Sequence, residues 1–200
     1  MQRIARLKES PSQTAGPYVH IGMLPNFAGI DGVFDEDLGA RMIVGEAKGE
    51  RITIRGRVFD GVGAALKDVL LEVWQADAQG LFPSQEGADP AFTGWGRQAA
   101  DMDTGEFAFE TVKPGPVPFR DGRLMAPHVS LWIVARGINL GLQTRIYFAD
   151  EDEANASDPI LSRIEHRDRI PTLLAEPKGD GTYRFDIRLQ GENETIFFDF

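Results

Sequence analysis

His128-Val129-Ser130-Leu131-Trp132-Ile133-Val134-Ala135-Arg136 reads as a β-strand with a period of two. Val129, Leu131, Ile133 and Ala135 fall on one face, and all four are apolar. That face belongs to a core. His128, Ser130, Trp132, Val134 and Arg136 share the other face, which carries an imidazole, a hydroxyl, an indole and a guanidinium. Two readings fit this second face. It is a solvated outer surface, or it is the wall of a ligand cleft.

The same alternation repeats on both sides of this strand. Ile52, Ile54 and Val58 alternate with Arg51, Thr53, Arg55 and Arg57, and Asp60-Gly61 follows as a turn signal. Val69, Leu71 and Val73 alternate in a segment ending at Trp74. Phe107 and Phe109 follow the turn Asp103-Thr104-Gly105. Leu140 to Phe148 forms a further run, and Tyr183, Phe185, Ile187 and Leu189 another. An apolar strand is expected at the end, from Thr195 to Phe200. Many short strands separated by turns predict an all-β fold, an antiparallel or mixed β-sandwich. Only Asp150 to Arg163 reads as helical, and Pro159 limits it to one or two turns. Residues 1–50 hold Pro11, Gly16, Pro17 and Pro25, a density of breakers that predicts an extended arm rather than a helix. The expected organisation is therefore an arm over 1–50 and one sandwich domain over 51–200.

Composition narrows the chemistry. Among 200 residues, 21 Lys and Arg stand against 31 Asp and Glu, a net charge of −10, so no basic footprint for nucleic acid exists. Cysteine is absent, which excludes disulfides and thiolate metal sites. No apolar run approaches the length of a membrane span, and no secretory signal follows Arg3, Arg6 and Lys8, so the cytoplasm is expected. The three histidines, His20, His128 and His166, form no ligand-like pair. Neither a G-x-S-x-G elbow nor a glycine-rich phosphate loop is present. These residues alone point to a β-domain without an evident catalytic constellation.

Combinations of short motifs add more. Leu71-Glu72-Val73-Trp74-Gln75-Ala76-Asp77-Ala78-Gln79-Gly80 is similar to the strand and turn hEhWQAxxxG of the intradiol ring-cleavage dioxygenases. Asp89-Pro90-Ala91-Phe92 through Gly96-Arg97 resembles that family's D-P-x-F…G-R segment. Thr111-Val112-Lys113-Pro114-Gly115-Pro116 resembles its T-[IV]-x-P-G-P turn, and Thr144-Arg145-Ile146-Tyr147-Phe148 its T-x-[IL]-Y-F strand. Ala126-Pro127-His128-Val129-Ser130 falls where the family has its A-H-I-H pair. The match spans roughly residues 50 to 150. Three other stretches, Thr14 to Gly22, Ala135 to Asn139 and Gly191 to Phe200, resemble the alpha chains of the family's two-subunit, protocatechuate-cleaving branch.

The resemblance implies a ferric non-haem iron held by two tyrosinates and two histidines. This chain departs from that set. Val117 stands at one ligand tyrosine and Ser130 at the second histidine, and Phe82 to Asp89 has no tyrosine for the other. Only His128 remains, as a remnant ligand position. The implied role is that of an alpha subunit with no metal and no catalytic residue of its own. A beta-type partner subunit would hold the iron in a larger hetero-oligomer. Thr14, Gly16, Pro17, Tyr18 and Arg136 would help line the partner's pocket, where O2 opens 3,4-dihydroxybenzoate to 3-carboxy-cis,cis-muconate. Two other classes stay open: a β-sandwich binding or carrier module, and an independent dioxygenase with a different ligand set.

Overall fold

A computed structural model describes residues 14–199. Eleven strands follow one another: β1 (Arg51–Phe59), β2 (Val69–Trp74), β3 (Trp95–Ala99), β4 (Glu106–Val112), β5 (Val117–Pro118), β6 (Leu124–Met125), β7 (His128–Ala135), β8 (Leu142–Phe148), β9 (Leu174–Gly179), β10 (Thr182–Arg184) and β11 (Ile187–Arg188). Nine of them form one mixed sheet in the order β11-β1-β10-β9-β8-β7-β2-β3, with β4 added on β1. β5 and β6 pair as a separate small ribbon. The fold is all-β, as the alternation predicts.

Parity explains how the sheet closes on itself. In β1, Ile52, Ile54 and Val58 are buried, and in β7 Val129, Leu131, Ile133 and Ala135 are buried. All seven belong to one apolar cluster, so the two halves of the sheet face each other across a shared core. β9 joins them, running parallel to β8 on one side and antiparallel to β10 on the other. β9 was not legible in advance because only Ala175 of its six residues is buried. The run from Tyr183 to Leu189 is one strand in intent, split into β10 and β11 between Arg184 and Ile187. Phe185 donates its N–H to Arg55 O, and Asp186 accepts from Arg57 N–H through its carboxylate. Gly56 permits that crossing, since a Cβ there would lie 1.7 Å from Phe185 O.

Two expectations need correction. The arm is not extended throughout: Pro17–Met23 forms α1, with Pro at the helix start, where its missing N–H costs nothing. Thr195–Asp199 is not a strand, because its backbone bonds go to different elements. Thr195 N–H reaches Arg188 O, while Phe198 N–H reaches Gln143 O. The predicted helical stretch resolves into α2 (Asp152–Ser157) and a 3₁₀ turn, Leu161–Arg163, with Asp158 and Pro159 between. A second 3₁₀ segment, Arg167–Leu173, was not foreseen. No helix among the described residues is long and apolar enough to cross a membrane.

The motif residues turn out to be structural. Asp77 Oδ1 accepts from Gln79 and Leu81 N–H, and Oδ2 from Asp89 N–H at 2.9 Å. Asp89 in turn accepts from Lys48 and Ala91 N–H. Gln75, 2% exposed, donates to Ala76 O and Val112 O and accepts from Thr111 Oγ1. Gly80 takes φ +81°, and a Cβ on it would meet Pro116 O at 2.2 Å. A Cβ on Gly115 would meet Gly80 N at 2.6 Å and Ala78 O at 2.7 Å. The two turns are nested backbone against backbone. Gly115→Ala is therefore expected to cost roughly 3 kcal/mol through overpacking. Gly22→Ala, with nothing within 4 Å of its Cβ, should change stability by less than about 0.5 kcal/mol. Urea unfolding of the two variants checks the contrast.

Candidate functional site

The outer face of β7 is neither uniformly solvated nor one cleft. It carries three distinct environments. At its start His128 is buried at 6% exposure. Its Nδ1 lies 2.7 Å from Ala126 O, and its ring is 5.7 Å from that of Tyr147. Tyr147 stands opposite His128 in the β7–β8 register, and Arg145 stands opposite Ser130. Arg145 Nη1 is 3.4 Å from Tyr147 Oη, which is 3.5 Å from Asp158 Oδ1. Asp158 is fully buried, and its carboxylate also accepts from Ala126, Ile160 and Leu161 N–H. Asp158 and Arg145 were missed in the sequence. Parity along β8, which puts Gln143, Arg145 and Tyr147 on one face, was the available signal for Arg145.

Burial first, and then the Arg145 charge, push the His128 imidazole down to about 4. Burial likewise pushes the Tyr147 phenol up to about 12. Val117 sits in an apolar cluster with Ala76 and Met125, against which Phe82, Phe119 and Ile160 pack. Among the described residues, no group of three or more His, Asp or Glu could hold a metal ion. His128 stands with a guanidinium and with a phenol that burial keeps protonated, and Val117 and Ser130 offer no anionic oxygen, so the set does not fit ferric iron, which prefers anionic oxygen ligands.

The middle of the face gathers the chain's three tryptophans. Trp74 and Trp95 pair across β2 and β3, and Glu72 lies between Arg97 and Trp132 in register. They line a shallow cleft of about 490 Å³ with Ser130 and Gln143. Arg97 pairs with Glu72 at 2.6 Å and lies over the Trp95 ring.

At the far end the predicted arm residues meet the strand. A cavity of about 450 Å³ lies between α1 and the end of β7, lined by Gly16, Pro17, His20, Phe27, Met102 and Arg136. Gly137 N–H donates to Thr14 Oγ1 at 2.6 Å, tying the arm down. Arg136 Nε is 3.2 Å from Asp68, with its side chain 81% exposed. Four of the five predicted pocket residues, Thr14, Gly16, Pro17 and Arg136, are thus together. Tyr18 is not with them; it stands 82% exposed on α1. Arg136 follows His128 by eight residues of extended chain, up to about 26 Å at ~3.3 Å per residue. The two ends cannot serve one pocket within this chain.

Residues 24–191 match a family model described as "Dioxygenase". The chain is 48% identical over 98% of its length to the protocatechuate 3,4-dioxygenase alpha chain of Pseudomonas putida, covering 99% of that protein. It is 34% identical, over 82% of its length and 75% of the other's, to the protocatechuate 3,4-dioxygenase beta chain of Burkholderia cepacia. The 3-chlorocatechol 1,2-dioxygenase of Rhodococcus opacus 1CP shares the fold, with a TM-score of 0.60 at 24% identity, over 80% of this chain and 66% of that one.

The depressed His128 has a consequence for stability. Its folded value near 4 lies below the ordinary 6.5, so the unfolded chain binds a proton that the folded chain refuses between those values. Stability is full above pH 6.5 and falls as pH drops towards 4, by about 3 kcal/mol for this group. His128→Gln should flatten that part of the profile, measured as urea midpoints of both proteins between pH 7.5 and 4.5.

Proposed function

This chain belongs to the intradiol ring-cleavage dioxygenase family, and from that premise we propose that it is the alpha-type subunit of a protocatechuate-cleaving dioxygenase. It binds no iron of its own. Its arm and Arg136 complete a substrate pocket on an iron-bearing, beta-type partner. The reaction is cleavage by O2 of the bond between the two hydroxylated carbons of 3,4-dihydroxybenzoate. Ferric iron on the partner supplies the redox chemistry.

The separation along β7 carries this reading. The only surviving ligand-type side chain, His128, is buried at one end. The arm residues and Arg136 are gathered at the other. A pocket using Arg136 therefore takes its metal from outside this chain. Arg136 is exposed beyond its bond to Asp68, which leaves guanidinium N–H groups for a substrate carboxylate. Between residues 18 and 44, Tyr18, Ile21, Phe27, Ile30, Val33, Phe34, Leu38 and Val44 are exposed large apolar side chains. Such a concentration fits burial against a partner. The chain's own sheet takes the rest of the segment: Arg97 N–H donates to Gly39 O, and Met42 is buried in the core.

The chain's own contribution is to bind, orient and exclude water. An arginine at the pocket edge adds positive charge for an anionic substrate. With the partner co-expressed, Arg136→Ala is expected to raise KM for 3,4-dihydroxybenzoate about tenfold, with assembly and iron content unchanged. An unchanged KM in an intact complex would remove Arg136 from the pocket. Metal analysis of the chain expressed alone should find no stoichiometric iron and no visible tyrosinate colour; either one would overturn the reading.

A further inference from the structure

We propose that Arg145 is a built-in cation, the positive charge around which this chain's remnant metal pocket is balanced, and that its charge, beyond the missing ligands, makes the pocket refuse a metal ion. The proposal rests on the reading that this chain holds no iron of its own, and deepens it. His128, Ser130, Arg145 and Tyr147 form a two-by-two block on one sheet face, since His128 pairs with Tyr147 and Ser130 with Arg145. Cβ atoms of such cross-strand partners stand about 5 Å apart.

The Arg145 guanidinium is held inside this block. Its Nη1 lies 3.4 Å from Tyr147 Oη and 3.5 Å from Met125 Sδ. Tyr147 Oη lies 3.5 Å from Asp158 Oδ1. Asp158 is fully buried, and its carboxylate is fixed by three backbone N–H groups, from Ala126, Ile160 and Leu161. A buried carboxylate needs a countercharge. Arg145 supplies it across the Tyr147 phenol. His128, held to Ala126 O at 2.7 Å, is the neutral fourth member. A cation, an anion, a phenol and an imidazole stand together here without any metal, and the Arg123 charge acts on Asp158 as well.

A metal ion held by His128 would face that guanidinium, whose charge already acts on the His128 ring. At about 5 Å and an effective dielectric of about 20, repulsion weakens binding on the order of a hundredfold per unit of ion charge. Restoring a ligand at position 130 alone therefore does not restore a site.

The test uses the full chain and zinc as the probe, titrated calorimetrically. Ser130→His places a second imidazole two residues from His128 on the same face. Its zinc affinity should stay at the wild-type baseline set by the other histidines. Ser130→His with Arg145→Gln should bind at least tenfold more tightly, and Ser130→His with Arg145→Lys should not. Should the glutamine variant fail to fold, Arg145→Met, which removes the charge and keeps a side chain of similar length, takes its place. Equal zinc affinity with and without Arg145, whether both tight or both at baseline, would overturn the proposal, as would tight binding by the lysine variant. These outcomes are separate from the proposed function. Stoichiometric iron in the unaltered chain would remove that reading, whereas equal zinc binding removes only the role of Arg145.

Discussion

The rest of the structure depends on the contact between two turns, 77–80 and 114–116, at Gly80 and Gly115. No side chain fits between them. Asp77 O accepts from Gly115 N–H, and the Asp77 carboxylate shapes its own turn and reaches Asp89. Through this contact the end of β2 fixes where β4 leaves the sheet, and hence where the β5–β6 ribbon lies. That ribbon carries Val117 and Met125 under the start of β7. A shift in the nested turns would move the floor of the remnant pocket and the first residue of β7 together.

The nesting also explains why motifs associated with an iron enzyme persist in a chain whose ligand positions do not fit iron. Gln75, Asp77, Gly80, Asp89, Thr111 and Gly115 satisfy backbone groups or permit close approach. Buried N–H and C=O groups left unpaired are costly, so these residues are demanded by the fold whatever the site does. The ligand positions carry no such demand. Val117 is simply one more apolar side chain in a small cluster, and Ser130 is half-exposed between Trp74 and Arg145 in register. Motif resemblance and metal competence are separable properties here, because they reside in different residues.

What could be read in the sequence follows the same division. Strands with a buried face and a solvated face were legible by period two: β1 follows the alternation residue by residue, and β2, β4, β7 and β8 follow it except where Leu70, Val112, His128 and Tyr147 are buried as well. β9 was not, because it bridges the two halves with little buried surface of its own. The terminal run Thr195–Asp199 carried a strand-like pattern, but its N–H groups bond to different elements, which no local pattern reports. α1 was hidden by Gly16 and Pro17, breakers inside a helix but a suitable cap and first residue at its start. The gathering of Thr14, Gly16, Pro17 and Arg136 was expected from resemblance, whereas Asp158 gave no sign. A single aspartate before a proline looks like a turn, and only tertiary contact shows that it is a buried anion.

That buried anion bears on how a metal pocket of this kind loses its metal. Removing a polyvalent cation from a low-dielectric site leaves its anionic and polar neighbours without compensation, and an unpaired buried charge is strongly destabilising. Substituting ligands by valine and serine removes donors, yet it does nothing for Asp158. A cation tethered to the adjacent strand does. Arg145 enters by one residue of β8 and places its head between Met125 and Tyr147, so no backbone has to move. A guanidinium is also the side-chain cation least prone to lose its proton on burial. The pocket can then fill with apolar side chains while the sheet, the nested turns and the distant arm-bearing end of β7 keep their places. On the proposed reading such a chain keeps the family's fold, and the surface at the far end of β7, with a guanidinium in place of a metal.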